Sequence, residues 1–224
     1  MRASLIIPAL NEADCLAQLL AEVPLDLVHQ LIVVDNGSTD NTAEVARGAG
    51  AIVVEESRRG YGFACAAGAA AAEGEVLVFM DGDGSFVPVE LTDLLKPIAQ
   101  NQADLVLGAR KFQDLPQNVM PPHQRFGNGL FAWFLRQRYG LTLADLGPYR
   151  AIRRELLLAL DMQELTYGWP LEMIIKTVRN RKRILEVPVT YRQRFAGQSK
   201  VSGTLRGTIL AAYRFSRVML RYTF

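Results

Sequence analysis

Cysteine and histidine are nearly missing from this sequence, with two of each among 224 residues. Cys15 and Cys65 are too few to make a disulfide framework, so a reduced, cytoplasmic setting is expected. His29 and His123 stand alone, without metal-ligand spacing, and read as structural. Ser38 and Ser199 have no histidine near them in sequence, so a serine nucleophile with an imidazole base is unsupported. Long apolar runs are missing too. None approaches the ~20 residues that a membrane-spanning helix needs, and Met1–Pro8 is interrupted too soon to be a secretion signal. There is no Gly-x-x-x-x-Gly-Lys-Ser/Thr loop, and the first strand ends in Pro8 rather than in the glycine-rich turn of a dinucleotide site. What remains is 50% hydrophobic and 21% charged, enough to fold around a core without staples and too apolar for disorder.

The net charge of +2 hides an asymmetry. From Lys176 onward twelve Lys or Arg face one acid, Glu186, a local charge of +11, which leaves −9 for residues 1–175. Such a basic C-terminal segment suits an anionic partner: phosphates, a lipid surface or nucleic acid.

Short β-branched runs alternate with helical stretches, the pattern of a mostly parallel sheet flanked by helices. Strands are predicted at Ser4–Ile7, Leu31–Val34, Ala51–Val54, Glu75–Met80, Asp104–Gly108 and Ile184–Tyr191. Asn11 reads as the cap of a first helix reaching about Val23, and Asp40 as the cap of a second. Glu75–Met80 is a continuous apolar run and is expected at the centre of the sheet. After Asp104–Gly108 the rhythm changes: a polar loop over Lys111–Pro122, an aromatic-rich helix to Tyr139, a turn-rich segment at Ala144–Ala151, a Gly/Ser loop at Phe195–Gly203 and a closing basic helix. No linker is visible, so a single α/β domain is expected.

Ligands of an open parallel sheet bind beyond the carboxyl ends of its strands. The predicted strands deliver Glu12, Asp35, Asp81 and Asp83 there. Carboxylates crowded in this way raise one another's pKa unless a cation joins them, and oxygen ligands select Mg²⁺ or Mn²⁺ together with a phosphate-bearing substrate. In Asp81-Gly82-Asp83 the two acids share a face of an extended segment, and Gly82 adds no bulk where a ligand approaches. A turn rich in Asp and Gly needs no metal, but its place directly after the most hydrophobic strand, with Asp35 after the second, points to a site. Arg58 and Arg59, beside Gly60 and just before a helix N-terminus, could hold an anionic group.

Three segments together, Ile7-Pro8-Ala9-Leu10-Asn11-Glu12, Val33-Val34-Asp35-Asn36-Gly37-Ser38-Thr39-Asp40 and Phe79-Met80-Asp81-Gly82-Asp83-Gly84-Ser85, resemble family 2 glycosyltransferases of the GT-A, Rossmann-like fold. The tail motif Arg194-Phe195-Ala196-Gly197-Gln198-Ser199-Lys200 narrows the resemblance to the dolichyl-phosphate mannosyltransferase-like (polyprenyl-phosphate glycosyltransferase) subgroup, over residues 3 to 205. The resemblance implies a metal-dependent, inverting transfer of a hexose from a nucleotide-diphosphate sugar, most simply to a polyprenyl phosphate. Pro8, Leu10 and Glu12 would then border the nucleoside, with Glu12 near the ribose, and Asp35 would contact the base or ribose. Asp81 and Asp83 would be the metal motif, Asp83 the direct ligand. Arg59, Gly60, Gly82 and Ser85 join the nucleotide-sugar set, although Ser85 stands where the mannosyltransferases often place Gln. Arg110 would lie near the phosphates, Arg194 and Lys200 would close over the diphosphate, and Asp145 would stand near the acceptor. The implied catalytic set is Asp83, Asp145, Arg194 and Lys200. Residues 1–110 would form the nucleotide-sugar half, 111–203 the acceptor half and 204–224 the basic helix, which could lie on an anionic membrane at its inner face without crossing it.

Alternatives compete with that expectation. A soluble hydroxyl acceptor would need a base, for which Asp145 is the candidate. A sugar-phosphate nucleotidyltransferase would carry a glycine-rich, basic first loop, unlike Ala9-Leu10-Asn11-Glu12. A non-catalytic nucleic-acid binder would have to work with Tyr191, Phe195, Tyr213 and Phe215 as its stacking groups, and no nucleic-acid motif appears, so no nucleic-acid partner is expected.

Overall fold

Residues 1–110, 122–196 and 205–223 are described by the computed structural model. The segment 111–121 and the tail loop 197–204, with Ser199 and Lys200 in it, lie outside the described residues.

Seven strands form one sheet: β1 (Ala3–Ala9), β2 (Gln30–Asp35), β3 (Ile52–Glu55), β4 (Val76–Phe79), β5 (Leu105–Arg110), β6 (Arg150–Arg153) and β7 (Ile184–Val189). They lie in the order β3-β2-β1-β4-β6-β5-β7. All neighbours are parallel except β6, which runs antiparallel to both β4 and β5. The four residues of β4 are all buried and the strand is central, as its unbroken apolar run predicts. Chain order runs outward from β1 through β2 to β3, then returns to place β4 on the other side of β1. That reversal is a topological switch point, where a crevice opens at the strand ends.

Alternation along β1 supplies both faces of the sheet. Leu5 and Ile7 pack with Leu16 and Leu19 of α1 (Ala13–Ala21) and with Leu91 and Leu94 of α4 (Leu91–Ala99). Ile6 points the other way, toward Cys65 of α3 (Tyr61–Ala71) and Trp169 and Ile174 of α7 (Trp169–Arg179). The small side chains of α3 let it lie close to the sheet: a Cβ on Gly68 would come within 2.9 Å of the Val34 side chain. The remaining helices are α2 (Thr42–Gly48), α5 (Pro122–Tyr139), α6 (Arg154–Ala159) and α8 (Leu205–Thr223), and α5 and α8 pack side by side.

Two local expectations are corrected. The turn-rich reading of Ala144–Ala151 missed β6, which begins at Arg150 and inserts between β4 and β5. Asn11 does not cap α1. It adopts a positive φ of 50°, and its side-chain oxygen accepts from the Thr39 amide at 2.7 Å, while its own amide donates to Ser38 Oγ at 2.9 Å. Asp40 serves both helices instead: one oxygen accepts from the Ala13 amide at 3.2 Å and the other from the Thr42 amide at 3.1 Å. The loops after β1 and β2 are thereby tied into one rim.

Candidate active site

The strand register puts the predicted acids at one end of the sheet. Ala9 pairs with Asp35 and Ile6 with Phe79, so β1, β2 and β4 finish at the same edge. Pro8 and Leu10 are half-buried there. A Cβ on Gly82 would lie 3.3 Å from the Pro8 carbonyl, so the loop after β4 rests directly on the end of β1.

Asp35 accepts from the Ser38 amide at 2.9 Å, which closes the turn after β2. Next to it, Asn36 is buried and fully used: Nδ2 donates to the carbonyls of Glu56 and Arg58, and Oδ1 accepts from the Gly60 amide. Gly60 has a φ of 153° and no room for a side chain, since a Cβ would fall 2.8 Å from the Leu165 carbonyl. Arg59 reaches back to the Gly37 carbonyl at 2.9 Å, while Arg58 is held by Glu56 at 2.7 Å. Of the two arginines, Arg59 therefore stays with the rim.

Asp81 and Asp83 follow β4. Burial, reinforced by the neighbouring charge of Asp83, pushes the Asp81 carboxyl up to about 7, against the pull of Arg110, a hydrogen bond from Tyr61 and the charge of Arg150. Asp83 accepts from the Ser85 amide at 2.9 Å. Ser85 itself is buried, and its hydroxyl has no hydrogen-bond partner among the described residues. Among those residues no three His, Cys, Asp or Glu side chains assemble into a metal cage. Mg²⁺ and ions like it are nonetheless usually held by one or two carboxylates plus substrate phosphates. Two neighbouring carboxylates, that of Asp81 pushed up by burial and by the charge of Asp83, beside an unpaired hydroxyl fit such an ion.

The segment after β7 straps this loop down. Tyr191 bridges to Phe86, Arg192 donates to the carbonyls of Ser85 and Gly84, and the Phe195 amide donates to the Asp83 carbonyl at 3.2 Å. Gly84, at φ 78°, leaves its Cβ space to the Phe195 ring. Arg194 is thereby aimed into the rim, donating to both Glu12 oxygens at 3.1 Å with Asp83 at 3.9 Å. Glu12, Asp83 and Arg194 meet at one point. Lys200 lies outside the described residues.

At the end of β5, Arg110 grips Asp145 with two side-chain bonds, Nε to Oδ2 at 2.6 Å and Nη2 to Oδ1 at 2.7 Å, and lies over the Tyr191 ring. The Asp145 side chain is wholly buried in this pair. Glu186 of β7 accepts from the amides of Ala144 and Asp145, fixing the turn that presents the carboxylate. In this arrangement Asp145 orients Arg110 and does not face open space.

Sequence reasoning missed Tyr61, Tyr191, Arg150 and Glu186. Tyr61 was legible only as the start of a helix. Arg150 is 1% exposed and donates to the carbonyls of Leu146, Gly147 and Pro170, bracing the turn that carries Asp145. Such roles arise from packing between distant segments and leave no local spacing to read.

A sequence model described as glycosyl transferase family 2 matches residues 4–160. An uncharacterized glycosyltransferase of Mycobacterium tuberculosis is 39% identical over 96% of this chain and 97% of its own length. The undecaprenyl-phosphate mannosyltransferase of Micrococcus luteus is 33% identical, over 92% of this chain and 90% of its own. Among solved structures, glucosyl-3-phosphoglycerate synthase of Mycobacterium tuberculosis in complex with Mn²⁺, UDP and phosphoglyceric acid superposes with a TM-score of 0.77 at 26% identity, covering 99% of this chain and 78% of that one.

Proposed function

The chain belongs to glycosyl transferase family 2 and is a hexosyltransferase of the GT-A fold, and we propose that it transfers the hexose of a nucleotide-diphosphate sugar, with inversion, to a polyprenyl phosphate. The nucleotidyltransferase and non-catalytic alternatives fall with that family. In this reading residues 1–110 bind the donor, residues 111–203 the acceptor, and one sheet joins the two halves through the pairing of β5 with β6 and β7.

Asp81 and Asp83 would hold Mg²⁺ or Mn²⁺, which when bound supplies positive charge to the leaving diphosphate oxygen. The solved neighbour crystallised with Mn²⁺ and UDP supports this. The chain's own residues do the rest. Glu12 and Asp35 stand at the ends of β1 and β2, where the nucleoside would lie, with Arg59 and Gly60 forming the wall beside them. Arg194 exchanges Glu12 for the donor phosphates, and a cation that meets charge as it builds on the leaving group lowers the barrier. Arg194 and Lys200 share this task in the proposal.

The observation that carries the acceptor assignment is the commitment of Asp145 to Arg110. A hydroxyl acceptor needs a base to take its proton. A phosphate monoester is already anionic and needs instead a cation to position it, which an arginine held by a buried carboxylate provides; the proposal thus gives Arg110 to the acceptor rather than to the donor phosphates near which the resemblance puts it. The undecaprenyl-phosphate relative supports a lipid phosphate. The neighbour bound to phosphoglyceric acid favours a second reading, a soluble acceptor, in which Asp145 would have to leave Arg110 to act as base.

Transfer of labelled sugar from UDP- and GDP-hexoses, offered in parallel to polyprenyl phosphate and to 3-phosphoglycerate, separates the two. Product on the lipid alone is expected. Product on 3-phosphoglycerate alone would replace the proposal with the soluble reading.

A further inference from the structure

The outer surface of α5 and α8 takes no part in the site described above. The two helices run side by side in the same direction. Phe131 meets Phe215 with ring centroids 4.5 Å apart, and two turns further on the Tyr139 hydroxyl donates to the Tyr222 carbonyl. Each helix has a buried side. On α5 it is Phe131 and Leu135; on α8 it is Val218 and Tyr222, the latter donating from its hydroxyl to Glu172 of α7. One face of the last helix therefore completes the core.

The opposite faces are apolar as well. Leu130 and Trp133 of α5 are exposed, Trp133 at 59%. On α8, Leu210, Tyr213 and Leu220 are exposed, Leu220 at 66%. With Arg217 they fall at spacings of three, four and three residues, which makes one stripe along the helix. Scattered surface leucines need no explanation, but large apolar groups repeated on one face of two adjacent helices mark an interaction surface.

Charge selects the occupant. The sequences of α5 and α8 hold seven arginines, Arg125, Arg136, Arg138, Arg206, Arg214, Arg217 and Arg221, and not one Asp or Glu. A protein partner or a second copy of this chain would meet that surface with mixed charge, and a second copy would bring arginine against arginine. An anionic bilayer offers what the surface lacks: continuous negative charge above an apolar layer for Trp133, Tyr213 and the leucines. Among the described residues no helix is long and apolar enough to cross a membrane. We infer that α5 and α8 together form a docking face that lies on an anionic lipid surface, with Trp133, Leu210, Tyr213 and Leu220 inserted and the exposed Arg136, Arg138, Arg217 and Arg221 at the headgroups. This inference rests on exposure and charge and is independent of the acceptor's identity.

Tryptophan supplies the probe. The chain has two, and Trp169 is 1% exposed in the core, so a spectral change on adding vesicles reports on Trp133. The intact chain is mixed with vesicles of phosphatidylglycerol and phosphatidylcholine, or of phosphatidylcholine alone, with no polyprenyl phosphate and no sugar nucleotide present. The expected result is co-sedimentation and a blue shift of emission with the anionic vesicles only, both reversed by high salt and both lost in Tyr213→Glu/Leu220→Glu, whose circular dichroism and melting stay those of the parent. A parent that remains in the supernatant overturns the inference, and so does a double variant that binds as the parent does. Light scattering that finds a dimer in the parent and a monomer in the variant also overturns it, by making the second copy the occupant. Because no acceptor or donor is present, failure here leaves the proposed reaction untouched.

Discussion

Asp145 shows how position can be read from sequence while role cannot. Its motif marks it as a residue of the acceptor side, and the structure puts it beside Arg110 with its carboxylate buried. The acids after β1, β2 and β4 were legible because strand ends point at a site and because Asp and Gly there have a chemical meaning. Tyr61, Tyr191 and Glu186 were not, since each acts through a contact made only when remote segments pack. Removing the carboxylate as Asp145→Ala takes away the bidentate partner of a mostly buried guanidinium, which is expected to cost about 3 kcal/mol of folding stability. Urea unfolding measures it, and Arg110→Met/Asp145→Leu should recover most of the loss. In transfer assays Asp145→Asn should raise the KM for a phosphate acceptor and leave the KM for the donor unchanged. A collapse of kcat at unaltered acceptor KM would assign it the role of base instead.

At the scale of elements, the parallel strands were legible and β6 was not. β4 declares itself by four consecutive apolar residues. β6 is four residues long, begins and ends with arginine, and follows a Gly-Pro turn, so no local pattern separates it from a loop. Its strand character comes from β4 and β5, which hold it on both sides. Close packing of α3 on the sheet depends on Gly68, whose Cβ space is taken by Ile6 and Val34. Gly68→Val should overpack this contact and cost about 1–3 kcal/mol, lowering the melting temperature by several degrees. Gly84→Ala acts differently, because φ is 78° there and Phe195 occupies the space. It should loosen the strap that carries Arg194 and raise the KM for the nucleotide sugar more than it lowers the melting temperature.

Across the whole molecule, the division of charge seen in the sequence becomes a division of labour. The acids of the first half gather at the switch point beside β1 and β4, and the strap after β7 delivers Arg194 against them. Arg136, Arg138, Arg217 and Arg221 of α5 and α8 are exposed on an outer face instead, together with aromatic and aliphatic groups. In the proposed reading one sheet thus carries a donor site at its strand ends and a separate basic surface on the helices packed over it. The claim on which the reaction depends is that Asp81 and Asp83 hold a divalent cation for the donor diphosphate. Ligands that bind only the folded state raise its melting point. The most direct measurement is the thermal shift given by UDP- and GDP-sugars with Mn²⁺, with chelator, and in Asp83→Ala. A stabilisation that requires Mn²⁺ and disappears in Asp83→Ala is predicted; an equal shift in the presence of chelator, or an undiminished one in Asp83→Ala, would contradict the account.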